Sequence, residues 1–159
     1  MSNFCLALCR FCLAAWLGAA ALFVTSGVAE IKSNKFDAET VNALVAARFP
    51  HYYNFGFCLV FLALVGSVLA RKNPTWTPKR ASAVSCMMLF VFMLMLVDYW
   101  TIFLPLLEMM EKPTLTERFQ EDHEASKKIN MVSLSFVFIS AWIACWPATC
   151  VERANSAES

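Results

Sequence analysis

Asp98 is the one charged residue in the long apolar run from Ala81 to Leu107. A carboxylate in such a setting can hold a proton, accept hydrogen bonds from a neighbouring helix, or help ligate a cation. It costs ~2.5–3.5 kcal/mol at the centre of a membrane helix, so it calls for a partner or a path to water. The chain offers partners at two places. His51, Tyr52, Tyr53 and Asn54 open one apolar run, and His123, Ser126 and Asn130 lead into another. At about 100° per residue, the spacing of His123, Ser126 and Asn130 places all three on one helical stripe. Two readings follow. In the first, these groups tie helix ends together, with Tyr and His as interfacial anchors. In the second, Asp98, His123, Ser126, Asn130, Tyr52, Tyr53 and His51 line a shallow polar pocket for a ligand, a proton or a metal. His123, His51 and Asp98 are then the candidates for holding a metal or haem. The chain has only two histidines and no His-x₃-His pair, so no cofactor is expected. A Ser-His-Asp order, a phosphate-binding loop, paired CxxC motifs and HExxH are all missing. Cys5, Cys9 and Cys12 form a helical stripe that could bind a soft metal or carry an acyl chain; apolar packing is the expected role.

The elements that position these residues follow from the clustering of apolar side chains. The chain has 159 residues, 59% hydrophobic and 16% charged, with a mean hydropathy of +0.56. Soluble domains carry about 25% charged residues. Uncharged stretches cover 11–29, 51–70, 81–97 and 129–151, the third continuing past Asp98. A hydrocarbon core of ~30 Å needs about 20 helical residues. Lipid offers the backbone no hydrogen-bond partner, so each stretch must be helical. A soluble bundle would show polar residues on each outer face, whereas Phe57–Val65 and Met87–Val97 are apolar all round. The expected fold is therefore all-α: an integral membrane four-helix bundle, one domain over 1–151, with spans at about 11–29, 51–70, 82–105 and 129–147. A polar tail occupies 152–159. The first run has some features of a cleaved leader, with Gly27-Val28-Ala29 as the cleavage site. Its length favours a retained helix. Seven cysteines, most of them in or beside the spans, suggest no disulfide framework. A net charge of +1 gives no case for nucleic acid.

The second loop carries Arg71, Lys72, Lys79 and Arg80 and no acid, whereas the third is rich in Asp and Glu. The positive-inside rule places the second loop and both termini on the cytoplasmic or equivalent side. Residues 36–49 read as a short amphipathic helix in loop one, lying along the outer interface and ended by Pro50. Thr114-x-x-Glu117 reads as a capping box. It would start a long fourth helix that extends out of the membrane. Small residues at three- and four-residue spacing mark packing seams: Ala14, Gly18, Ala21 and Thr25 in the first span, Gly56, Ala63, Gly66 and Ala70 in the second, and Ser126, Asn130, Ser133, Ser140 and Ala144 in the fourth. Gly18, Gly56 and Gly66 are the expected packing glycines.

Trp16-x-Gly18 with Phe23, Arg48-Phe49-Pro50-His51-Tyr52-Tyr53, Pro105, and Phe119-x₃-His123-x₂-Ser126-x₃-Asn130 occur in this order relative to the four spans. In this the chain resembles the transmembrane protein 205-like family over about residues 13–146. The resemblance implies a four-helix membrane fold and no assigned reaction. Members of that family have been linked to handling of metal-containing drugs and to vesicle traffic. The family is distantly similar to four-helix copper-resistance and haem-dependent oxidase membrane proteins, which use histidines in their spans; this chain has none in mid-span. The expected function is non-enzymatic: a structural or accessory subunit whose partners are lipid and other membrane protein subunits. The alternative is a haem- or metal-dependent membrane oxidoreductase, or a protein that handles a metal or small solute.

Overall fold

The computed structural model describes residues 1–33, 35–110 and 117–147. Of these, 91% are helical, with no strand among them. Helix α1 runs Ser2–Lys32, α2 Ala38–Leu69, α3 Pro78–Asp98, α4 Leu104–Met110 and α5 Glu117–Cys145. A π-helical turn, Tyr99–Phe103, joins α3 to α4. Four helices are long and apolar enough to cross a membrane, with α3, the π turn and α4 counting as one.

The helices alternate in direction, so Ser2, loop two and the end of α5 share one end. Direct bonds fix that arrangement. Asn73 donates to Asn3 at 2.9 Å, and the Arg10 guanidinium donates to the Ala144 carbonyl at 2.7 Å. Arg80 donates to the Trp146 carbonyl at 3.1 Å. The last carbonyls of a helix have no intrahelical donor and carry its negative pole; here two cations from α1 and α3 cover those of α5. We call this the basic end. At the opposite, acidic end, Glu30 of α1 pairs with Arg48 of α2 at 2.7 Å.

Helix α1 begins well before Phe11, and residues expected in a flanking segment belong to the core. Leu6, Cys9, Cys12, Leu13, Trp16 and Ala20 form its buried face. The expected seam of Ala14, Gly18, Ala21 and Thr25 lies on the exposed side instead. A Cβ built on Gly18 meets nothing within 4 Å, so Gly18 is not a packing glycine. The physical reason is size: Cys9, Cys12 and Ala20 are themselves small enough for close approach, and Trp16 fills the wider gap above them. Gly56 and Gly66 do pack. A Cβ on Gly56 would lie 2.5 Å from the Trp16 ring, and one on Gly66 would lie 3.0 Å from the Cys5 carbonyl. In α5 the seam faces inward as expected, with Ser126, Ser133, Ser140 and Ala144 buried.

The separate amphipathic helix expected in loop one does not form. Residues from Ala38 are the first turns of α2, which continues through Pro50. Proline removes one hydrogen bond and crowds the carbonyl four residues back, here Ala46, yet a long helix with tertiary support tolerates it. Phe49 is held on both sides of that point, stacking on Phe103 at 5.7 Å and meeting Phe23 edge-on at 5.0 Å. Asp37 starts the helix by accepting from the Thr40 amide at 2.7 Å. Hydrogen bonding from the Thr40 side chain, and then from its amide, holds that carboxyl below the ordinary value. Pro105 has a different effect. Its ring would crowd the Thr101 carbonyl, and the wide π turn just before it relieves the clash. The expected capping box at Thr114 lies outside the described residues; α5 itself is 29 residues, about 44 Å long.

Candidate functional site

Three helices bring polar groups to one buried point. Asp98 ends α3 about 30 Å along the axis from Pro78, which puts it in the acidic half of the bundle. It is 1% exposed. Its Oδ2 accepts from the Tyr53 hydroxyl of α2 at 2.5 Å and from Asn130 Nδ2 of α5 at 3.1 Å. Asn130 also donates to the Ser126 carbonyl at 3.1 Å, which fixes its rotamer. The Tyr52 hydroxyl makes a long 3.5 Å contact with Asn130 Oδ1. Ser126, one turn from Asn130 on the same helix, is buried. Asp98 Oδ1 is buried and has no hydrogen-bond partner.

Aromatic rings seal this cluster. Tyr53 packs against Phe103 at 4.8 Å and Tyr99 at 5.3 Å, and Tyr52 packs against Phe23 at 4.4 Å and Trp16 at 4.8 Å. Sequence reasoning singled out the polar members and missed Tyr99, Phe103 and Phe49 as the wall around them. The signal was present in the spacing. Phe49 lies one turn before Tyr53, and Phe103 one turn after Tyr99, so each projects beside the polar residue on its own helix.

Of the seven candidates, the fold joins Asp98, Tyr53, Asn130, Ser126 and Tyr52. The two histidines stay outside. His123 is exposed and, among the described residues, stacks on Phe119 at 6.2 Å. His51 is exposed on α2, where it borders a groove of about 680 Å³ floored by Phe23, Tyr52 and Phe55. No group of three His, Cys, Asp or Glu side chains that could hold a metal occurs among the described residues. The cysteine stripe packs inward: Cys9 and Cys12 are buried and Cys5 is half-buried against the same core, whereas Cys58, Cys86 and Cys145, on other helices, are exposed. No described pair of cysteines is bridged.

The chemistry available at the buried point is narrow. Tyr53 and Asn130 donate to one carboxylate oxygen, and the aromatic wall keeps bulk water away. Tyr53 and Asp98 are each 1% exposed. What the cluster does supply is a set of hydrogen bonds linking α2, α3 and α5 at one level. No protein-family model, curated protein or solved structure matches the chain.

Proposed function

We propose that the chain is a non-catalytic, multi-pass membrane protein that serves as a structural or accessory subunit of a larger membrane complex. The observation that carries this reading is the engagement of Asp98: its donors come from two other helices, and both histidines lie away from it. A charge this costly is retained where it specifies how helices pair. Apolar residues on the outer faces, among them Phe61, Leu62, Met93, Trp100, Phe138 and Trp142, supply surface for lipid and neighbouring subunits. The cations at the basic end support a placement of that end, and hence of both termini, on the cytoplasmic or equivalent side. We also propose membership of the transmembrane protein 205-like family, supported by the motif order and by the roles Ser126 and Asn130 take in the cluster.

Native mass spectrometry of the protein released from its own membrane in mild detergent tests this function. Co-migrating subunits in a fixed ratio are expected. A bare chain carrying a haem-sized or metal adduct that His123→Ala removes would overturn the reading in favour of an oxidoreductase.

A further inference from the structure

At the basic end, residues of α3 and α5 line a shallow groove of about 340 Å³. Lys79, Arg80 and Ala83 line it from α3, and Trp142, Ile143 and Trp146 from α5 and the residue just past it; Ala83, Trp142 and Trp146 are exposed and Ile143 is half-buried. We propose that this groove holds one anionic phospholipid, with the headgroup phosphate at Lys79 and one acyl chain along Ala83 and Ile143. The proposal rests on the membrane reading above.

Charge complementarity names the occupant. Arg10, Arg71, Lys72, Lys79 and Arg80 gather at this end, and no acid accompanies them among the described residues. Their engagements differ. Arg10 and Arg80 bind the last carbonyls of α5, and Arg71 donates to Ser82 at 2.9 Å. Lys79 lines the groove with no anionic partner among the described residues. It also lies in the first turn of α3, a helix of 21 residues whose positive pole points the same way. Thr77 and Pro78 fix the start of that helix, so the lysine stem leaves the helix at the mouth of the groove.

The remaining walls separate a lipid from a free anion. Away from Lys79 and Arg80 the lining is apolar, with Ala83, Trp142 and Ile143, and offers a phosphate no further charge. Trp142 and Trp146 meet at 5.4 Å in a tilted arrangement, one turn apart, and tryptophan is a residue favoured where headgroups meet acyl chains. Basic pockets between helices at the cytoplasmic boundary are established binding places for anionic headgroups.

The test uses the full-length protein in mild detergent, with phosphatidylglycerol, phosphatidylcholine and inorganic phosphate as probes. Native mass spectra should show one retained phosphatidylglycerol and no saturable uptake of the other two. Lys79→Gln should weaken phosphatidylglycerol binding about fivefold. Ala83→Phe, which puts a bulky ring into the lining and leaves every charge in place, should weaken it as well. Lys72→Gln, on the same end but outside the groove, should leave it unchanged. Equal losses from Lys72→Gln and Lys79→Gln would show general adsorption to a basic surface and overturn the site. Equal binding of phosphatidylcholine would also overturn it. Extraction of the native protein by alkaline carbonate without detergent would overturn the membrane reading itself, and this proposal with it.

Discussion

Substitutions at Asp98 separate a helix tie from a ligand site. Asp98→Ala removes the carboxylate that accepts from the Tyr53 hydroxyl, and Tyr53 is 1% exposed. A buried donor left unpaired costs ~1–3 kcal/mol. Asn130 keeps its bond to the Ser126 carbonyl, so its loss is smaller. The carboxyl volume vanishes too, and well-packed aromatic neighbours do not collapse into such a space without strain. Asp98→Ala should therefore destabilise by about 2–4 kcal/mol. Asp98→Asn behaves differently. Its carbonyl oxygen can accept from both Tyr53 and Asn130, and no buried charge remains to be compensated. The expected cost is below about 1 kcal/mol. Tyr53→Phe should fall between the two, at about 1–2 kcal/mol. Unfolding by SDS in mixed micelles, followed by intrinsic tryptophan fluorescence, measures all three. If Asp98→Asn proves as damaging as Asp98→Ala, the site requires the negative charge and the tie reasoning is wrong. A cost within about 0.5 kcal/mol for Asp98→Ala would show that the cluster holds nothing together.

The packing glycines give a second contrast: Gly56→Ala should cost about 1–3 kcal/mol because its Cβ would enter the Trp16 ring. Gly18→Ala should be neutral or stabilising by up to ~1 kcal/mol in the same assay, because that side is open and alanine is the better helix former. Arg10→Ala should uncover the Ala144 carbonyl and cost about 1–2 kcal/mol, visible as faster amide exchange over the last turn of α5. At Asp37 the carboxyl is held below its ordinary value by the Thr40 side chain and then its amide, so its contribution is fully present above about pH 4 and fades as pH falls further. Exchange of the Thr40 amide, corrected for its intrinsic pH dependence, should report that fraying, and Asp37→Ala should abolish its pH dependence.

Much of the architecture was legible because it depends on length and apolar continuity alone. Runs of about 20 uncharged residues cannot be anything but helices if they meet lipid. The membership of Asp98, Tyr53, Ser126 and Asn130 in one cluster followed from reading depth along each helix, since side chains at equal depth on packed helices meet. Azimuth was harder. In α1 nearly every residue is apolar, so no polar face marks the outside, and the small-residue stripe pointed to the wrong side. The histidines failed for a related reason. His51 shares the depth of Tyr52 and Tyr53 but lies on the outward face of the same turn. Pro50 misled because its local effect on a helix start is indistinguishable, in sequence, from its effect within a supported helix. The resemblance to the transmembrane protein 205-like family offered depth markers of the same kind, and no azimuths.

Pro50 and the π turn at Tyr99–Phe103 lie on adjacent helices at nearly one level, and Phe49 and Phe103 touch there. Each helix is short of one regular backbone bond at that level. The two interruptions therefore face each other across the contact between neighbouring helices, and the Phe49–Phe103 stack bridges them where the backbone ladders are weakest. An aromatic contact thus stands in for regular backbone bonding on both helices at once.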